Sequence, residues 1–176
     1  MKKLIIFISL ILLMTGCSEN KDNYLHYTLE GYDLTKTYQY PDSNNVVRKY
    51  VITDITEENS EEVVEGLFYQ NGKNDYILLD KITNGNSKNS YKNEDYTYFY
   101  ENKLYITRCS GSVALEYNLD GLNTSKIDLI SKFNPSYPLL KINKVDDNYI
   151  YYKIFKENNI SSELKCSLET FQCMDN

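Results

Sequence analysis

The sequence predicts an all-β, antiparallel fold. Apolar and aromatic residues alternate with polar ones at every second position over many short stretches, which is the period of a strand with one buried face. Clusters of Asn, Asp, Gly and Ser punctuate those stretches as turns do. A short motif also recurs along the chain. The form L-x-[YC]-x-L-[DE]-[GT]-[YLF] fits "LHYTLEGYDLTK" from Leu25, "LEYNLDGLNTSK" from Leu115 and "LKCSLETFQC" from Leu164. A degenerate copy, "LFYQNGKNDYILL" from Leu67, puts Asn71-Gly72 at the turn position.

Alternation places strands at about 46–54, 63–70, 75–82, 95–100, 103–109, 113–119, 125–131, 139–145, 149–156, 162–168 and 171–174. The stretch from Leu25 precedes them as an N-terminal hairpin turning at Glu30-Gly31, with His26 on its first strand. Loops fall at 84–94, 134–138 and 156–159. Only Glu57–Glu65 has helical character, as a turn of helix or an acidic approach to a strand. No stretch has the composition of a linker between two domains.

The second copy of a turn-plus-strand pair, "DNYIYY" from Asp147 after "ENKLYI" from Glu101, supports a repeat of about 45 residues, the size of a four-stranded propeller blade. Four blades are the usual minimum, and at this period the chain supplies about three to three and a half. Closure would need the N-terminal hairpin to complete a blade begun at the C-terminus; otherwise the blades stack as an open set. A small β-barrel or β-sandwich is the alternative. The pattern also resembles the Tyr-rich propeller-like repeats of bacterial surface proteins.

The N-terminus carries a separate message. Lys2 and Lys3 precede the apolar run Leu4–Met14, which is too short for a membrane span of about 20 residues and suits a signal peptide. It ends Met14-Thr15-Gly16-Cys17, which resembles the lipobox of bacterial lipoproteins, although Met14 stands where that family more often has Leu. The resemblance implies cleavage before Cys17 and a thioether from Cys17 to diacylglycerol; an ordinary secretion signal is the alternative. The expected organisation is therefore 1–16 signal peptide, 17–23 lipidated cysteine and solvated tether, and 24–176 a single all-β domain. Two acyl chains give stable anchoring, so Cys17 would hold the protein to the extracytoplasmic face of a bacterial membrane.

Composition narrows the function. At 176 residues, 41% hydrophobic and 25% charged, the chain is globular and large enough for its own core. A net charge of -6 argues against nucleic acid, whose binding needs cations that displace counterions. Cys166 and Cys173 flank the last hairpin, with Glu169-Thr170 at its tip and Ser167 opposite Gln172. They are expected to oppose each other at a Cα separation of about 5.5 Å and to form a disulfide. Cys109 then reads as a small buried strand residue.

His26 is the single histidine, so nucleophilic catalysis would have to pair it with Cys109, and no flanking motif supports that. Asp146-Asp147-Asn148 reads as a turn rather than a metal site, and no zinc set, calcium loop or phosphate loop is present, so no metal or cofactor is expected. Most of the 18 tyrosines are expected to pack in or between sheets. These readings point to a lipid-anchored binding or accessory module with an envelope or membrane protein partner, and alternatively to a lipocalin-like carrier of a small ligand.

Overall fold

A computed structural model describes residues 24–42, 44–56, 63–83, 96–156 and 161–175. The described residues form three antiparallel sheets in chain order. The first contains β1 (His26–Tyr27), β2 (Thr37–Pro41), β3 (Val47–Thr56), β4 (Val63–Gly72) and β5 (Asp75–Thr83), in the spatial order β1-β5-β4-β3-β2. The second is a meander of β6 (Tyr96–Tyr100), β7 (Lys103–Arg108), β8 (Val113–Asn118) and β9 (Ser125–Asp128). The third is a meander of β10 (Lys141–Val145), β11 (Tyr149–Phe155), β12 (Ser161–Ser167) and β13 (Cys173–Asp175). None of the three closes into a barrel, so the barrel alternative is not what this chain builds.

The second sheet is the middle layer. Leu104, Ile106 and Tyr117 on one of its faces pack against Tyr50, Ile52, Leu67 and Tyr69 of the first sheet. Tyr105 and Ala114 on the other face meet Ile142, Ile150, Tyr152 and Ile154 of the third. Strand β7 is therefore buried on both sides, and its "LYITR" reads as a continuous rather than an alternating run. Each fully buried Leu or Ile contributes about 1.5–3 kcal/mol, so these two seams supply most of the cohesion. Polar bonds fix their register: Gly121 N donates to Tyr50 Oη at 2.6 Å, Tyr117 Oη to Asp80 at 2.6 Å, and Thr107 Oγ1 to the Leu140 carbonyl at 3.0 Å.

Edge strands of the three sheets, β2, β6 and β10, lie next to one another. Tyr38 of β2 and Phe99 of β6 have ring centroids 5.6 Å apart, and Lys141 of β10 sits 4.8 Å over the Tyr96 ring of β6.

The ends of the stack differ. The outer face of the first sheet, with Val51, Val64 and Phe68, is covered by the N-terminal segment through Tyr27, Leu29 and Leu34. This overturns the N-terminal hairpin. Residues 30–31 do turn, with Gly31 at a φ of +86°, but β1 pairs with β5 and β2 with β3, on opposite edges of the sheet. Nor does this segment join the C-terminal sheet, which completes its own four strands.

Three local expectations change as well. The strand expected over 125–131 stops at Asp128, because the Asp128 carboxylate accepts from the backbone N–H groups of Ile130 and Ser131 and caps a single helical turn, α1 (Leu129–Phe133). Strand β4 runs through Asn71-Gly72, and the turn falls at Lys73-Asn74, where Asn74 takes a φ of +59° that Asn tolerates. Val63–Glu65 are strand rather than helix; the rest of that segment, 57–62, and the predicted loop at 84–94 lie outside the described residues.

Candidate interaction surface

The predicted site residues fall in different places. Cys17 lies outside the described residues. His26 is exposed on β1, with Nδ1 2.8 Å from Asp75 Oδ1. Cys109 is exposed, not buried in a strand: β7 ends at Arg108, and Cys109 opens a 3-10 turn, Cys109–Gly111, with a φ of +53°. The two residues belong to different sheets, His26 to the first and Cys109 to the end of a strand of the second.

Cys166 and Cys173 face each other across β12 and β13 and are bonded. Ser167 opposes Gln172 through a 2.9 Å bond from Ser167 N to the Gln172 carbonyl. That makes the cysteines the adjacent non-hydrogen-bonded pair, whose Cα atoms lie closer together, here 4.0 Å rather than about 5.5 Å. The tip is wider than two residues: Phe171 N donates to the Ser167 carbonyl at 3.0 Å, and Phe171 occupies the left-handed position of this turn with a φ of +55°. Replacing both cysteines by serine is expected to lower stability by about 2–3 kcal/mol, measured by urea unfolding. An equal loss when the wild type is reduced would assign the effect to the bond.

Asp146 holds the β10–β11 turn, accepting from Asn148 N at 3.2 Å and Tyr149 N at 3.0 Å, and pairs with Lys144 at 3.2 Å. Those hydrogen bonds and Lys144 outweigh burial and lower the Asp146 pKa, and the same pair raises that of Lys144. Among the described residues no group of His, Cys, Asp and Glu is arranged to hold a metal ion.

The tyrosine-rich runs have two fates. In Tyr96–Tyr100, Tyr98 and Tyr100 pack toward the third sheet and Phe99 toward the first. In Tyr149–Phe155, alternation divides the residues cleanly: Ile150, Tyr152 and Ile154 enter the core, while Tyr149, Tyr151, Lys153 and Phe155 face outward.

That outer face of the third sheet has no covering segment among the described residues. Lys165 Nζ sits 3.9 Å from the Tyr149 ring centroid and 5.6 Å from that of Tyr151. Lys144 lies 5.0 Å over Tyr151, and Lys153 5.2 Å over Phe155. Two carboxylates accompany the lysines: Glu163, bonded to Asn143 Nδ2 at 3.1 Å, and Asp146, paired with Lys144 at 3.2 Å. Phe155 at 43% and Met174 at 52% exposure flank the ladder. Rings hold the lysine stems while the ammonium groups stay at the surface, so the face is rigid, aromatic and basic on an acidic protein.

A buried ion pair lies between the first and second sheets, away from this surface, and no local spacing announces it. Arg108, 1% exposed on β7, bonds Glu65 of β4 through Nε at 2.7 Å and Nη2 at 3.0 Å. Its Nη1 donates to the carbonyls of Tyr96 and Thr107. Burial alone would raise the Glu65 pKa, but Arg108 and then Lys36 outweigh it and hold the carboxyl below its usual range. The pair bolts the first sheet to the second.

No protein-family model, curated protein or solved structure matches the chain.

Proposed function

We propose that this is a lipid-anchored protein of the extracytoplasmic face of a bacterial membrane, held through Cys17, that works by binding an acidic segment of an envelope partner rather than by catalysis. The outer face of the third sheet carries this reading. Its three lysines, stacked on Tyr149, Tyr151 and Phe155, oppose the sign of the chain's net charge of -6. Pre-ordered aromatics and complementary charge are what specific interfaces use for anchoring and steering. Three successive sheets whose edge strands β2, β6 and β10 adjoin support the blade-like arrangement expected of the repeat, with the third sheet as the last, uncovered blade.

The test is cross-linking and co-purification of the full-length protein from membranes, beside a variant in which Lys144, Lys153 and Lys165 are all Glu. One partner should be recovered with the wild type, release as salt rises, and fall about tenfold or more with the variant at unchanged thermal stability. Equal recovery with both would remove this face from recognition. Recovery of nothing with the wild type would end the binding-module reading.

A further inference from the structure

The third sheet ends in β13, and among the described residues no strand lies beyond it. β13 pairs Cys173 with Cys166, Met174 with Lys165 and Asp175 with Leu164. Hydrogen-bonded and non-hydrogen-bonded pairs alternate along an antiparallel ladder. The cysteines are a non-hydrogen-bonded pair, so Met174 turns its N–H and C=O toward β12, while Cys173 and Asp175 turn theirs to the free edge. That edge is a template of main-chain donors and acceptors for an extended segment.

A cleft of about 260 Å³ runs along it. Met174 stands on the outer face with Lys165, and Cys173 and Asp175 stand on the inner face with Cys166 and Leu164. All three residues of β13 line the cleft, so it follows the strand's main chain rather than one face of the sheet. Phe133, Tyr137 and Leu164 line it too, which gives an inward side chain apolar surface to meet.

The outer face sets the charge of the other side. Lys144, Tyr151, Lys165 and Met174 are successive partners in one row across β10, β11, β12 and β13. The next position in that row belongs to whatever pairs with β13. It lies two strand spacings, roughly 10 Å, from Lys165, which a lysine and a glutamate stem span together. Glu163, on the same side of β12, is turned away to Asn143 of β10, and Asp175 on the inner side is paired with Lys156 at 2.7 Å.

We infer that the acidic segment of the proposed partner binds in extended form as a fifth strand on β13, with carboxylates in the Lys165 row and an alternate, apolar side chain in the cleft. This rests on the lysine face as the recognition surface and adds the segment's conformation, place and alternating pattern.

The experiment follows amide hydrogen exchange of the full-length chain in non-ionic detergent with three capped peptides: Glu-Val-Glu-Val-Glu-Val-Glu, its rearrangement Glu-Glu-Glu-Glu-Val-Val-Val, and Glu-Ser-Glu-Ser-Glu-Ser-Glu. At saturation the first should slow exchange at Cys173 and Asp175 about tenfold or more, and the other two should bind about fivefold or more weakly. Asp175→Pro removes an outward N–H without breaking a bond to β12. It should bind the first peptide about fivefold or more weakly than Asp175→Ala, which loses the same carboxylate but keeps the N–H.

Binding without slower exchange at Cys173 and Asp175 would overturn strand addition and leave the lysine face as the recognition surface. Equal affinity in Asp175→Pro and Asp175→Ala would overturn it as well. So would slowing that follows protein concentration without peptide, which would give the edge to a second copy of the chain. Undiminished binding of the first peptide when Lys144, Lys153 and Lys165 are all Glu would overturn the lysine-face reading, and with it the acidic character inferred here. Absence of binding by every peptide would overturn the inference outright.

Discussion

Arg108→Met is expected to destabilise the protein by about 3–5 kcal/mol at pH 7, because it leaves a buried carboxylate without its counter-charge. Glu65 is only 8% exposed, and the remaining cation, Lys36, stands 3.3 Å away on a half-exposed side chain. The pH dependence separates this mechanism from simple loss of packing. In the wild type the Glu65 pKa is depressed, so the pair contributes stability above the unfolded carboxyl value, about 4.3, and loses it as pH falls through the folded value.

In Arg108→Met burial is no longer outweighed, and the Glu65 pKa moves above the unfolded value. The penalty is then full at neutral pH and disappears as the carboxyl protonates. The difference between the two proteins should therefore shrink steadily from pH 7 toward pH 4 in urea melts. A difference under about 1 kcal/mol, or one independent of pH, would show that the pair does not bear on stability. The double variant Glu65→Leu/Arg108→Met should recover most of the loss, since it buries no charge.

Gly111→Ala should cost about 3 kcal/mol, lowering Tm by roughly 6–12 °C for a chain of this size. Gly111 has a φ of +83°, where any side chain is strained. A Cβ there would also lie 2.8 Å from the Leu139 backbone N and C and 2.9 Å from its O. These are main-chain atoms of the segment entering β10, so they cannot swing aside as a side chain would. The turn from β7 to β8 is thus seated directly on the third sheet's approach. Gly121→Ala provides the comparison: its φ of +56° carries the strain without any neighbour in reach, so the loss should be about 1–2 kcal/mol. Equal Tm values for Gly111→Ala and the wild type would refute the close seating.

What was legible in the sequence follows from where each strand lies. Tyr149–Phe155 reads as a strand because one face meets the core and the other water, so its alternation survives. The Cys166–Cys173 pair reads from its hairpin because both partners and the turn lie within one short stretch. Thr37–Pro41 was not legible: Pro41 is tolerated only because β2 is an edge strand, and from the sequence alone a Pro argues against a strand. Residues 125–131 misled because Ser125-Lys126-Ile127-Asp128 continues as alternating sequence, while the cap at Asp128 competes locally and wins. Arg108 and Glu65 are 43 positions apart, and the bond from Tyr100 to Asp147, 47 positions apart, joins turns of two sheets. Such juxtapositions arise only when sheets stack, which no local pattern encodes.

The covering of the first sheet by residues 24–34 has a mechanical consequence. A pull from the proposed anchor upstream of Tyr24 would enter the domain through β1, whose backbone pairs at His26–Ile77 and Tyr27–Tyr76 and through the Leu78 N to Leu25 carbonyl bond, with the His26–Asp75 contact and the packing of Leu29 beside them. These yield before β3–β4, which are paired over seven positions. Releasing residues 24–36 would pay out roughly 40 Å of extended chain while the second and third sheets kept their fold. Under such a load the segment would act as a sacrificial coil of slack, baring Val51 and Phe68 before the load reached the lysine face.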